Sequence, residues 1–234
     1  MSRLNSIFEF NQHNRDLFIR SVADSLPHGA RMLDAGAGSC KYRPLFEHCR
    51  YESQDFSQYT GSDLKYGTID HVCDITAIPV DSGTFDCVIC TEVLEHVPQP
   101  ELVIQELARV LKPGGVLALT APFTSGMHMA PYHYCAGFSP YWYQHFLPLS
   151  GLQLQSCRPN GGFFKLYGQE SRRFLYAVTP RNKLARLCFL PLKAVLAIWF
   201  RLFLPVLCHY LDRFDPDPEQ TTGYMVLARK AGTA

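Results

Sequence analysis

The stretch Arg31–Pro44, RMLDAGAGSCKYRP, decides how this chain is read. A short apolar run ends on Asp34, and the small residues Gly36, Ala37 and Gly38 follow at once. A strand that ends in a glycine turn lets the backbone come close to a ligand, and it opens the first strand–helix unit of a parallel sheet. Lys41 stands where a third glycine would complete a GxGxxG run. In dinucleotide sites that glycine permits close packing of the next helix. Its absence, and a carboxylate that would repel a pyrophosphate, point towards a ligand that carries an ammonium group.

Outward from this turn the chain alternates strand and helix. RYESQD ends on Asp55, IDHVCD on Asp74 and FDCVICT on Thr91. FDCVICT is nearly all apolar, as a parallel strand covered on both faces should be. PELVIQELARVLKPGG predicts a helix, with Pro100 and Glu101 at its start, Arg109 and Lys112 in its last turn and Pro-Gly-Gly as its stop. VLALTAP is the fifth strand. Ahead of the glycine turn, residues 5–26 predict one amphipathic helix; after it, CKYRPLFEHC predicts a short helical segment interrupted by Pro44. SPYWYQHFLPLSG predicts a helix closed by Gly151, and LQLQSC and TTGYMVLARK two more strands. The fold class is therefore α/β: a Rossmann-like, mostly parallel seven-stranded sheet, last strand antiparallel, helices on both faces, and a helical insertion before the last strand. Four segments follow: an N-terminal helix (1–27), a core (28–160), a hydrophobic helical insertion (161–220) and a final strand with its tail (221–234).

Ligands of such sheets bind outside the carboxyl ends of the strands. Asp34, Asp55, Asp74 and Thr91 all stand at those ends and should line one crevice. The composition, 47% hydrophobic and 18% charged with a net charge of +1, is globular and gives no reason to expect nucleic-acid binding. Nine scattered cysteines without a disulfide framework fit reduced thiols and a cytoplasmic setting. Cys87 and Cys90 have metal-like spacing, but residues three apart on a strand face opposite sides, so both read as core. The N-terminus lacks an apolar core long enough for a secretory signal.

LDAGAG, YESQDF, CDITAIPVDSGTFDCVICTEVLEHVPQPE and ELARVLKPGGVLALTAP resemble, in order, the motifs of class I, Rossmann-like, S-adenosylmethionine-dependent methyltransferases of the small-molecule and ubiquinone-biosynthesis branch. The resemblance covers about residues 28–160 and resumes at 221–230. It implies S-adenosylmethionine as cofactor and does not specify the substrate; the expectation is methyl transfer to a small-molecule, saccharide or lipid-linked acceptor, at oxygen rather than carbon or nitrogen. It places Asp34 and the Gly36–Ala37–Gly38 turn at the methionine part, with Asp34 near the ammonium. Asp55 would take the ribose hydroxyls, Phe56 would pack on the adenine, and Asp74 would meet its amino group with Ile75 beside the ring. Thr91 and Glu92 would lie near the reacting methyl. The rival readings are an NAD-type oxidoreductase or epimerase, opposed by the incomplete glycine run, and a cofactor-binding scaffold without catalysis.

An oxygen acceptor needs a base or a metal. In TEVLEHV, a helix would set Glu92, Glu95 and His96 on one face. Glu-x-x-Glu-His is similar to the metal-binding motif of ubiquinone-biosynthesis O-methyltransferases and of small-RNA 3′-end methyltransferases, the latter adding a further histidine, for which His128 or His133 stands available. Without an ion, His96 is a capping histidine at the helix start; that metal-free reading is the one favoured, with Glu92, Glu95 and His96 as the candidates for a divalent ion. The loop MHMAPYHYCAGFS occupies the place of the acceptor pocket, so His96, His128 and His133 are the candidates for activating the acceptor.

RLCFLPLKAVLAIWFRLFLPVLCHYL, 186–211, is the most apolar part of the chain. Lys193 and Arg201, Pro191 and Pro205 interrupt it, and its longest clean run is too short to span a bilayer. Residues 181–211 read as a membrane-surface helix, peripheral to the inner face of a membrane, set against a cap over the acceptor pocket or a dimer contact. Nothing in the sequence fixes the oligomeric state.

Overall fold

The computed structural model describes residues 3–62 and 64–232. Seven strands form one sheet: β1 (Arg31–Ala35), β2 (Arg50–Asp55), β3 (His71–Val72), β4 (Phe85–Thr91), β5 (Leu111–Pro122), β6 (Leu152–Pro159) and β7 (Gly223–Lys230). Their order is β3-β2-β1-β4-β5-β7-β6. The pairs from β3 through β5 are parallel, and β7 runs antiparallel to β5. This is the Rossmann-like mostly parallel sheet that the strand–helix alternation predicts.

Each face of the sheet has its own core. On one side α3 (Pro100–Val110) buries Val103, Ile104, Leu107 and Val110, and α4 (Pro140–Leu149) buries Tyr143 and Leu147. On the other, Ile19, Val22 and Ala23 of α2 (Phe10–Asp24) pack with Phe46 of the 3₁₀ turn Arg43–Phe46. Cys90 belongs to the first core and Cys87 to the second, both fully buried and free. The strand pleat separates them, as their spacing predicts.

Several boundaries differ from the sequence reading. The helix expected over 5–26 is two, α1 (Arg3–Phe8) and α2. The segment after the glycine turn holds only the 3₁₀ turn with Pro44 near its start. α3 ends at Val110, and Lys112 lies in β5, where its ammonium meets Asp86 at 2.8 Å. The pairing of β4 with β5 shifts register between Phe85 and Cys87, which absorbs Pro113-Gly-Gly inside the strand.

Contacts divide the chain into two compact units, Arg15–Arg158 with Gly223–Ala234, and Met1–Asn14 with Pro159–Thr222. The first carries the sheet. In the second, α5 (Phe163–Ser171) is capped by Asp212, which accepts from Gly162 and Lys165 N–H, and by Asp215, which accepts from Phe163 N–H. Asn160 donates to Asn11 and accepts from Asn14. α6 (Phe174–Ala177) leads to α7 (Lys183–Ile198), started by Asn182, whose side chain accepts from Leu184 N–H. A π-helical turn (Trp199–Phe203) and α8 (Leu204–Leu211) follow, and α8 packs on α5, where Gly168 lets Pro205 and Cys208 approach closely.

Candidate active site

The strand order reverses between β1 and β4, and a cleft opens at the carboxyl ends there, as ligand sites in such sheets do. Its volume is about 510 Å³, within the range of small-ligand pockets. All of its walls come from the sheet-bearing unit.

The glycine turn forms one edge. Gly36 has φ +74°, and a Cβ there would sit 2.3 Å from Val93 Cγ2, so only glycine fits. Gly36 and Ala37 N–H both donate to the Gln54 carbonyl, at 2.8 and 2.9 Å. The Gln54 side chain spans the gap, accepting from Gly36 N–H at 3.2 Å and donating to the Cys73 carbonyl at 2.7 Å. Asp55, nearly buried, accepts from Gly38 N–H and Ser57 N–H, both at 2.9 Å. Each oxygen keeps a second lone pair, so the carboxylate is fixed in position and still able to accept from hydroxyls. Phe56 stands edge-on to Tyr132, with ring centroids 5.1 Å apart. Asp74 fixes itself with Oδ1, which accepts from Thr76 N–H and Oγ1. Ile75 lies beside it in the wall.

Gly36, Gly38, Asp55, Phe56, Asp74, Ile75, Glu92 and His96 thus converge on the cleft. Asp34, Ala37 and Thr91 are not among its wall residues. Asp34 is 1% exposed and accepts from the Tyr51 hydroxyl at 2.6 Å. Burial pushes its carboxyl up to about 7 against the opposing pull of Tyr51. It stands beneath the turn, in the ladder opposite Ser53 and Ile89. Thr91 pairs with Thr120 in the sheet.

TEVLEHV is not the helix that would give Glu92, Glu95 and His96 a common face. Glu92 takes a left-handed φ of +55°, and only Leu94–His96 form a 3₁₀ turn. Glu92 is thereby directed to the Arg15 guanidinium at 2.8 Å and accepts from the Thr120 hydroxyl at 2.9 Å. Glu95 is buried, and its Oε2 has no partner. Burial first, then the neighbouring Glu92, push its carboxyl up to about 8.

The loop after β5 folds back onto this turn, because Tyr134 N–H donates to the Glu95 carbonyl at 2.9 Å. That brings His96, His128 and His133 together, with ligating atoms all within 4.8 Å of one another. His96 Nδ1 bonds the Tyr132 carbonyl, and His128 Nδ1 bonds the Gly126 carbonyl at 2.9 Å. A carbonyl only accepts, so in both rings Nδ1 carries the proton and Nε2 keeps its lone pair. Burial lowers the basicity of His96, and His128 and His133 lower it further, so its ring is neutral near pH 7.

Sequence reasoning missed Arg15, Tyr51, Gln54 and Val93. Gln54 carried a signal, a polar residue one step before a strand's carboxyl end. Arg15 and Tyr51 act on partners distant in sequence, with no local pattern to mark them.

Residues 33–119 match the model of a family described as a methyltransferase domain. The chain is 56% identical over 39 residues to a ubiquinone biosynthesis O-methyltransferase of Xanthomonas oryzae pv. oryzae, covering 17% of this chain and 16% of that protein. It is 38% identical over 111 residues to one of Xanthomonas axonopodis pv. citri, covering 40% of this chain and 44% of that protein. The chain thus spans less than half the length of either relative. Among solved structures, a geranyl diphosphate methyltransferase in complex with S-adenosylmethionine superposes with a TM-score of 0.57 at 13% identity, covering 93% of this chain and 85% of that one, which speaks for the fold alone. The matched segment, the strand order and the glycine turn agree: residues 33–119 are a methyltransferase domain, set in a Rossmann-like sheet.

Proposed function

We propose that the chain methylates an oxygen of a small-molecule, saccharide or lipid-linked acceptor, with S-adenosylmethionine as the donor. The observation that carries this reading is a single cleft holding a cofactor-shaped wall at one end and a neutral histidine, His96, at the other. The cradle suits the cofactor: the turn takes the left-handed φ that glycine allows, with Gly36 packed directly against Val93, and Asp55 is fixed at a strand end with lone pairs to spare.

When bound, S-adenosylmethionine supplies a methyl group already activated on a sulfonium. The protein must align the acceptor in line with it and exclude water. Asp55 orients the ribose, Asp74 and Ile75 receive the base, and Tyr132 and Tyr134 wall the acceptor side. His96 Nε2 would receive the acceptor's hydroxyl proton as the methyl passes from sulfur to the acceptor oxygen, the S–C bond breaking and S-adenosylhomocysteine leaving as a neutral thioether, since its Nδ1 is already committed as a donor. Arg15 and Thr120 hold Glu92 beside the cleft.

A second reading has its own observation. His96 and His128 both tie Nδ1–H to a backbone carbonyl and leave Nε2 free, as metal-ligating histidines do. With His133 they would hold a divalent ion that binds the acceptor oxygen, Glu95 standing next to His96 at 3.7 Å. Three imidazoles suit zinc, iron or manganese rather than magnesium.

Calorimetry with S-adenosylhomocysteine and with NAD tests the cofactor; binding of neither removes the reading, and binding of NAD alone transfers it to the oxidoreductases. Turnover of radiolabelled donor on cell extracts, with label followed into lipid and aqueous phases, identifies the acceptor class. Full turnover after chelation rejects the ion and leaves His96 as the base.

A further inference from the structure

Residues 171–211 contain no Asp or Glu, yet carry Arg172, Arg173, Arg181, Lys183, Arg186, Lys193 and Arg201. In a chain with 22 basic and 21 acidic residues, this is a sharp segregation of charge. The same segment exposes a run of large apolar side chains. Neither α7 nor the π-helical turn buries a single residue. Leu184 is 71% exposed, and Val195 and Ile198 are each 64% exposed.

The two properties occupy different sides of the helix. At about 100° per residue, Lys183, Arg186, Lys193 and Arg201 fall within a sector of about 80°, with only Leu190 and Ala197 among them. Leu184, Leu187, Leu192, Val195, Ile198, Trp199, Leu202 and Phe203 occupy the broad sector opposite. All are exposed. Within the helical stretch Lys183–Phe214 an 18-residue window has a mean hydropathy of 2.0, and the stretch is long and apolar enough to cross a membrane by length and composition.

We propose that α7 and the π-helical turn after it lie along the surface of an anionic phospholipid bilayer, the apolar sector in the acyl boundary and the cations among the headgroup phosphates. Spanning would carry Lys193 and Arg201 into the hydrocarbon, where a charge is costly, whereas lying flat sets both beside phosphate. A second copy docked on the apolar sector would leave the row of cations on the far side with no acid in the segment to pair them, whereas an anionic bilayer surface engages both sectors at once. Trp199, stacked on Phe203 at 4.7 Å between ring centroids, is the amphipathic ring that the interface favours. This surface stands whether or not the cleft transfers methyl groups.

Flotation of the full chain with phosphatidylcholine vesicles, and with vesicles that also contain phosphatidylglycerol, tests it. The protein should float with the anionic vesicles and far less with the neutral ones, and rising salt should release it. Removing one cation, as in Lys193→Gln or Arg201→Gln, should weaken binding about fivefold. Val195→Asp with Ile198→Asp should end it, and the salt series on the unaltered protein needs no variant to fold. Failure to float with anionic vesicles overturns the proposal. So does binding that ignores both salt and cation loss and survives an alkaline carbonate wash, the behaviour of a span. A concentration-dependent dimer that Val195→Asp dissolves gives the face to a second copy, and equally overturns it.

Discussion

Asp55 was legible because a carboxylate at a strand's carboxyl end has few other reasons to be there, and the structure holds it in the cleft wall by two backbone N–H groups. Asp55→Ala should weaken S-adenosylhomocysteine binding by ~1.5–3 kcal/mol through lost charged hydrogen bonds, read by calorimetry; unchanged affinity removes it from the ribose site. Asp34 looked equivalent in sequence and is not. Its environment depends on Tyr51 across the β1–β2 pair, which no local pattern announces. Burial raises its carboxyl from 3.8 to about 7, so between those values the folded chain holds a proton that the unfolded chain has lost. The stability this proton lends is complete at pH 4 and below, falls as pH rises, and is gone above pH 7. Asp34→Asn keeps an acceptor for Tyr51 and carries no charge. Its advantage in melting temperature over the parent should grow from pH 4 to pH 8 and then level off; parallel curves would show that Asp34 does not titrate in this window.

Strands and the long helix were readable from local pattern, because FDCVICT and PELVIQELARV each obey a single periodicity. The short connectors were not. Whether TEVLEHV became a helix depended on Glu92 finding Arg15, 77 positions earlier in the chain, and taking a left-handed turn to do so. The three histidines stood in the sequence as unrelated candidates; the Tyr134–Glu95 backbone bond is what gathers them. The glycine turn is the element on which both ends of the cleft depend. Gly36→Ala would force a Cβ into Val93 at a positive φ, and Val93 begins the turn that presents His96. The expected cost is about 1–3 kcal/mol of stability, with cofactor affinity falling alongside. Gly38→Ala meets only Leu64, at 3.3 Å, and should be milder. Equal melting temperatures for Gly36→Ala and the parent would show that the turn is not as tightly packed as the geometry states.

At the scale of the whole chain, the alternation of strand and helix was enough to predict a seven-stranded sheet, whereas the assignment of Met1–Asn14 to one compact unit with Pro159–Thr222 rests on contacts such as Asn160 with Asn11 and Asn14 that sequence cannot pair. That division has a thermodynamic consequence. The cleft draws every wall residue from the sheet-bearing unit, so a ligand held there stabilises that unit's native state by RT ln(1 + [L]/Kd). At one hundred times Kd this is about 2.7 kcal/mol, which for a unit of this size shifts the melting temperature by roughly 5–11 °C. S-adenosylhomocysteine should produce that shift in a scanning-calorimetry transition of the full chain, while NAD at the same concentration should leave it unmoved, because the wall lacks the third glycine against which a pyrophosphate-binding helix packs. Asp55→Ala should shrink the shift by the affinity it loses, and charge changes at Lys193 or Arg201 should not touch it. A shift given by NAD and absent with S-adenosylhomocysteine would assign the cleft to another nucleotide, and with it the chemistry that His96, His128 and His133 surround.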